Sequence, residues 1–168
     1  ENLQLWNELA DTYPQAINAC SDSSEKVSLY LKLAKVLSDK LQKHDDALAA
    51  VKSILDIDAE NMDAIRFMEN IYTLTDNNEE LLNTKARLAE LTFEMDEQKG
   101  ILYQCADLSL NTLGLVERGI SFLEKIIEID DTAIDAMNPL LTLYADAESH
   151  EKYVDLLNKK LLCVNDND

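Results

Sequence analysis

The chain has 168 residues, 33 acids against 15 Lys and Arg, a formal charge of −18, and 46% hydrophobic residues. That length and apolar content suit one domain or a short run of repeats with a real core, and exclude an intrinsically disordered polymer. With only three glycines and two prolines, turn-rich sheet folds are excluded, and so strong an acidity repels phosphate backbones and anionic lipid.

Residues 1–21 read as one helix carrying Pro14, a residue that should kink or end it. Eight further helices are predicted at 24–43, 46–58, 62–75, 78–94, 97–113, 116–130, 133–147 and 150–163. Each carries an apolar stripe at helical spacing, such as Leu29, Leu33, Val36, Leu37 and Leu41, or Val51, Ile54 and Leu55. Ser24, Asp45, Asn61, Asn77, Asp96, Asp131 and Ser149 stand just before these stripes and are the expected N-terminal caps. Pro139 marks a late start or a bend in the eighth helix. Connections of two to four residues make successive helices antiparallel.

Shifted against itself by 72 residues, the chain matches without gaps. Ala34 falls on Ala106, Ile54 on Ile126, Ile57-Asp58 on Ile129-Asp130, Asp63-Ala64 on Asp135-Ala136, and Tyr72 on Tyr144. Each 72-residue block holds two helical hairpins. The repeats are placed at 22–60, 61–95, 96–131 and 132–165, with 1–21 as the second helix of a truncated one. A hairpin cannot bury its apolar face alone, so stacking must do it, and both ends of the chain should expose apolar surface.

With Tyr30, Leu33, Ala34 and Leu37 in a first helix and Ala47, Val51, Ile54 and Ala59 in a second, the repeats resemble the tetratricopeptide repeat (TPR) family in degenerate form. The odd repeats hold an extra residue between these sets. The even repeats keep the family spacing but place Glu69, Leu81, Leu141 and Tyr153 where the family has small residues. The resemblance implies an all-α, right-handed α-solenoid of antiparallel hairpins with about nine helices. It also implies that the first helix of each hairpin lines a concave, partner-binding face. The residues expected there are Lys35, Arg66, Asn70, Tyr103, Asp107, Asp135, Asn138 and Thr142. Some family members clamp a terminal carboxylate with Lys and Asn on successive first helices. Lys35, Arg66 and Asn70 fit part of that pattern, but Asp107 and Thr142 stand where cations would help.

No motif points to catalysis. His44 and His150 read as solvated turn residues. Asp56, Asp58 and Glu60 open like a calcium loop, but Asn61 and Phe67 occupy its glycine and glutamate positions. Cys20, Cys105 and Cys163 form no metal-binding pair and read as free thiols, which suits the cytoplasm. The reading is therefore a non-catalytic interaction scaffold without cofactor or metal. Its expected partner is a peptide or protein, a basic one included, and it contacts no nucleic acid or membrane. The alternative is a structural spacer or self-assembly module with no groove ligand.

Overall fold

In the computed structural model, which describes residues 2–165, the chain is helical throughout and divides into two compact units, residues 1–77 and 78–168. The first unit contains α1 (Asn2–Ala19), α2 (Ser23–Lys35), α3 (His44–Ile57) and α4 (Met62–Leu74). The second contains α5 (Asn78–Leu91), α6 (Met95–Asp107), α7 (Val116–Ile129), α8 (Ile134–Asp146) and α9 (His150–Asn165). Within each unit every helix packs on the next.

The 72-residue register extends to the backbone. α2 and α6 each run on into a five-residue π-helical turn, Val36–Lys40 and Leu108–Thr112. Two residues past each π turn, Gln42 (φ 54°) and Gly114 (φ 66°) take the left-handed conformation, and Asp76 (φ 52°) and Glu148 (φ 54°) form the second such pair. α2, α4, α6 and α8 begin at residues 23, 62, 95 and 134, so the hairpins alternate between 39 and 33 residues. Five of the six extra residues are therefore wound into the π turn that ends the first helix, and the sixth lies in the connection after the second helix.

The caps correct four expectations, those at Ser24, Asp45, Asp96 and Asp131. α2 is capped by Asp22, whose carboxylate accepts from the Glu25 N–H at 2.8 Å, and α6 by Glu94, which accepts from the Glu97 N–H at 2.7 Å. Ser24 and Asp96 already lie inside their helices. A capping carboxylate stands two or three residues before the N–H it serves, as Glu94 does for Asp96 and Glu97. Asn61 caps α4 as expected, bonding the Ala64 N–H at 3.0 Å, while α3 and α8 have no side-chain cap. Neither proline ends its helix: α1 continues five residues beyond Pro14, and α8 begins five residues before Pro139.

Each unit has its own core. In the first, Leu33, Ala34, Leu37, Ala47, Val51, Ile54 and Ile71 pack with Ala10 and Ile17 of α1. In the second, Leu82 and Ala89 of α5 meet Leu102, Cys105 and Ala106 of α6, Leu123 and Ile126 of α7, and Met137 and Leu140 of α8. The matched positions Ala34 and Ala106, and Ile54 and Ile126, are buried in both. Leu3 and Leu5 on α1 and Leu161 and Leu162 on α9 are more than half exposed, so apolar surface lies open on both helices.

Candidate interaction faces

The eight residues picked out as partner-binding divide between the units. Lys35 (α2), Arg66 and Asn70 (α4) belong to the first, and Tyr103, Asp107 (α6), Asp135, Asn138 and Thr142 (α8) to the second. All are exposed except Tyr103, which is half-buried. The register also pairs them: Lys35 corresponds to Asp107, Arg66 to Asn138, and Asn70 to Thr142. Where the first unit places a base, the second has an acid or an amide.

The contrast covers whole helices. α2 with its π turn, together with α4, carries the bases Lys26, Lys32, Lys35, Lys40 and Arg66 against Glu25, Asp39, Asp63 and Glu69. α6 with its π turn, together with α8, carries Asp96, Glu97, Asp107, Asp135 and Asp146 against Lys99 alone. Lys99 is itself occupied, donating to Asp130 Oδ2 at 2.8 Å and lying 3.1 Å from Asp96.

Tyr103 joins α6 to α8 electrostatically. Burial raises its phenol above the ordinary tyrosine value, Asp135 and then Asp130 push it the same way, and Lys99 opposes them. Asp107 Oδ1 accepts from Asn111 Nδ2 at 2.7 Å. Asn138 Oδ1 accepts from Lys160 Nζ of α9 at 2.6 Å. Thr142 turns its hydroxyl toward the Asn138 carbonyl at 3.5 Å. Beside Tyr103, a pocket of about 420 Å³ opens between α5 and α6, lined by Leu81, Lys85, Tyr103, Gln104, Asp107 and Leu108.

Sequence reasoning missed the clip that steadies this face. Asp130 accepts from Lys99, from the Thr132 hydroxyl at 2.7 Å and from the Thr132 N–H at 3.1 Å, and these donors hold its pKa down at about 2. The repeated Ile-Asp phrase was the available signal. In the first unit, Asp58 ends α3 in the same way, accepting from the Glu60 N–H and Asn61 Nδ2. Lys99 has no counterpart there, because the corresponding residue is Val27.

A carboxyl whose pKa is lower folded than unfolded binds fewer protons in the native state. Its stabilisation is complete above its ordinary value near 3.8 and is lost as pH falls through about 2. Asp130→Asn should therefore lower the urea midpoint at pH 7, and the gap to the parent protein should close as the pH is brought from about 4 to 2. A gap independent of pH would show that the lost interaction is not ionic.

His44 differs from the expected solvated turn residue: it is half-buried, with Nδ1 3.4 Å from Ser38 Oγ. His150 is exposed. None of the three cysteines is in a disulfide, and Cys163 Sγ donates to the Asp131 carbonyl at 3.3 Å. Among the described residues, no three His, Cys, Asp or Glu side chains are grouped to hold a metal ion, and no helix is long and apolar enough to cross a membrane.

No family model and no curated protein matches the chain. Solved structures do. MamA is 18% identical, aligned over 96% of this chain and 90% of that one, with a TM-score of 0.50. MamA from Desulfovibrio magneticus RS-1 is 11% identical over 100% and 98%, with a TM-score of 0.45. YrrB, a TPR protein with an unusual peptide-binding site, is 20% identical over 92% and 93%, with a TM-score of 0.43. The first likeness spans nearly the whole of both chains and is a likeness of fold. The chain is a TPR-like α-solenoid of helical hairpins.

Proposed function

We propose that this chain is a non-catalytic interaction scaffold that takes a basic peptide or protein segment on the α6–α8 face of its second unit. One observation carries the reading. Two first helices present five carboxylates and a single base, and that base is already tied to Asp130 and Asp96. The second unit as a whole has 19 acids against 8 bases. Charge of one sign on one face steers an oppositely charged partner and sets its register. Amides and hydroxyls at Asn138 and Thr142 suit the main chain of an extended segment, and the Tyr103 ring offers it an apolar platform.

The same acidity argues against nucleic acid and anionic membrane as partners, and three free thiols fit a reducing, cytoplasmic setting. Selection from a displayed random-peptide library tests the proposal. The parent protein should enrich sequences rich in Arg and Lys, and the double reversal Asp107→Lys with Asp135→Lys should lose that enrichment. Recovery of neutral or acidic peptides by the parent, or of the same peptides by the variant, would sink it.

The exposed leucines of α1 and α9 favour a second reading, self-association of the chain. Sedimentation at rising concentration separates the two, because a strict monomer excludes it.

A further inference from the structure

We infer that the pocket between α5 and α6 is a specificity subsite for an apolar side chain of the partner whose immediate neighbour in the partner sequence is basic. The inference rests on the acidic-face reading above and adds to it what the partner must present besides charge.

The walls favour an apolar occupant. Leu81 is almost fully buried and forms part of the lining, and Leu108 and the half-buried ring of Tyr103 form much of the rest. A volume of about 420 Å³ leaves room for a leucine-sized side chain together with the main chain and neighbouring residue that carry it. The two polar rims differ. On one, Lys85 Nζ donates to Gln104 Oε1 at 2.6 Å, so the cation and amide lie against each other. On the other, Asp107 uses Oδ1 to accept from Asn111, which leaves Oδ2 for a cation brought by the partner. Asp135 lies close enough to act on the Tyr103 phenol, so negative charge continues past the ring toward α8.

The duplicated sequence shows that this chemistry belongs to the second unit. The first has Leu31 in place of Tyr103 and Lys35 in place of Asp107. At these two places the first unit lacks the ring and the carboxylate, and its one aromatic residue at a matching place, Tyr13, stands where the second unit has Lys85. Asp107→Lys therefore introduces a side chain that the same backbone position already carries elsewhere in the chain.

The test uses the full chain, isotope-labelled for NMR, with three synthetic probes at low salt. These are acetyl-Gly-Arg-Leu-Arg-Gly-amide, the same peptide with Gly for its Leu, and the same peptide with Gln for both Arg. The first probe should shift the methyl signals of Leu81 and Leu108 and the ring signals of Tyr103. It should bind at least about tenfold tighter than the Gly probe, the usual worth of seating an apolar side chain. Asp107→Asn should weaken the first probe, and Leu108→Gln, at a half-buried position, should erase its advantage over the Gly probe.

If both basic probes bind equally and shift only α8 signals, the subsite is overturned while the acidic-face reading stands. If the Gln probe binds as tightly as the first, the pocket is apolar but uncoupled from charge, and the inference fails. If neither basic probe binds, the acidic-face reading fails and the subsite fails with it.

Discussion

Ile126→Ala should destabilise the chain by about 2–5 kcal/mol, the range for truncating a large, fully buried aliphatic side chain. Ile126 has no exposed surface and stands in the last turn of α7. The core it belongs to joins α5, α6, α7 and α8 through Ala89, Leu102, Cys105, Ala136, Met137 and Leu140. In a stack of hairpins each layer is stabilised mainly by its neighbours, so a hole here weakens contacts on both sides of α7. The space cannot close cheaply, because the surrounding side chains are held by separate helices. Urea unfolding followed by circular dichroism measures the loss. A cost below about 1 kcal/mol would mean that the second unit is loosely packed around α7. Ile54→Ala, at the corresponding position of the first unit, should behave alike, since Ile54 is equally buried.

Gly119→Ala should also destabilise, although alanine is the better helix former by about 1 kcal/mol. Gly119 is buried near the start of α7, and a Cβ added there would press into Cγ and Cδ2 of Leu110 in the π turn. Cγ is the branch point of that side chain and cannot swing aside as its tip could. Overpacking of this kind costs about 1–3 kcal/mol and outweighs the gain in propensity. The duplication supplies the remedy. The corresponding pair in the first unit is Ser38 and Ala47, a smaller partner beside the larger helix residue. Leu110→Ser should therefore cost less in the Gly119→Ala background than in the parent protein. A double-mutant cycle of urea midpoints checks this, and strict additivity of the two changes would contradict the steric explanation.

Much of the fold was legible in the sequence because the apolar stripes and the 72-residue register agree. Ala34 and Ala106, Ile54 and Ile126, and Tyr72 and Tyr144 were paired by residue type, and each is buried. The π turns were not legible. Periodicity shows that the odd repeats are longer, but an extra residue shifts the later stripe equally whether it lies in a loop or inside a helix. The cap at Asp22 was missed because Ser21, Ser23 and Ser24 stand beside it, and that at Glu94 because glutamate is not among the residues favoured at a helix start. Only the backbone shows which residue lies three positions before an unserved N–H.

For the candidate site, the sequence offered residue types at first-helix positions and a mixture of charges. The separation of those charges by unit lay in the 72-residue register, which matches Lys35 with Asp107 and Arg66 with Asn138, and it becomes plain once each pair falls on equivalent helices. The Lys99–Asp130 clip links residues 31 positions apart. It follows from how the end of α7 returns past α6, and the repeated Ile-Asp phrase marks only its Asp130 end.

Titration calorimetry of the full chain with a probe of five alternating Arg-Gly pairs, at low and at physiological salt, bears most directly on whether the acidic face of the second unit binds. Saturable binding should appear at low salt, weaken as added ions screen the face, and fall at least about tenfold in the Asp107→Lys, Asp135→Lys variant. An affinity unchanged by that double reversal, or one abolished instead by reversing Lys35 and Arg66, would contradict it.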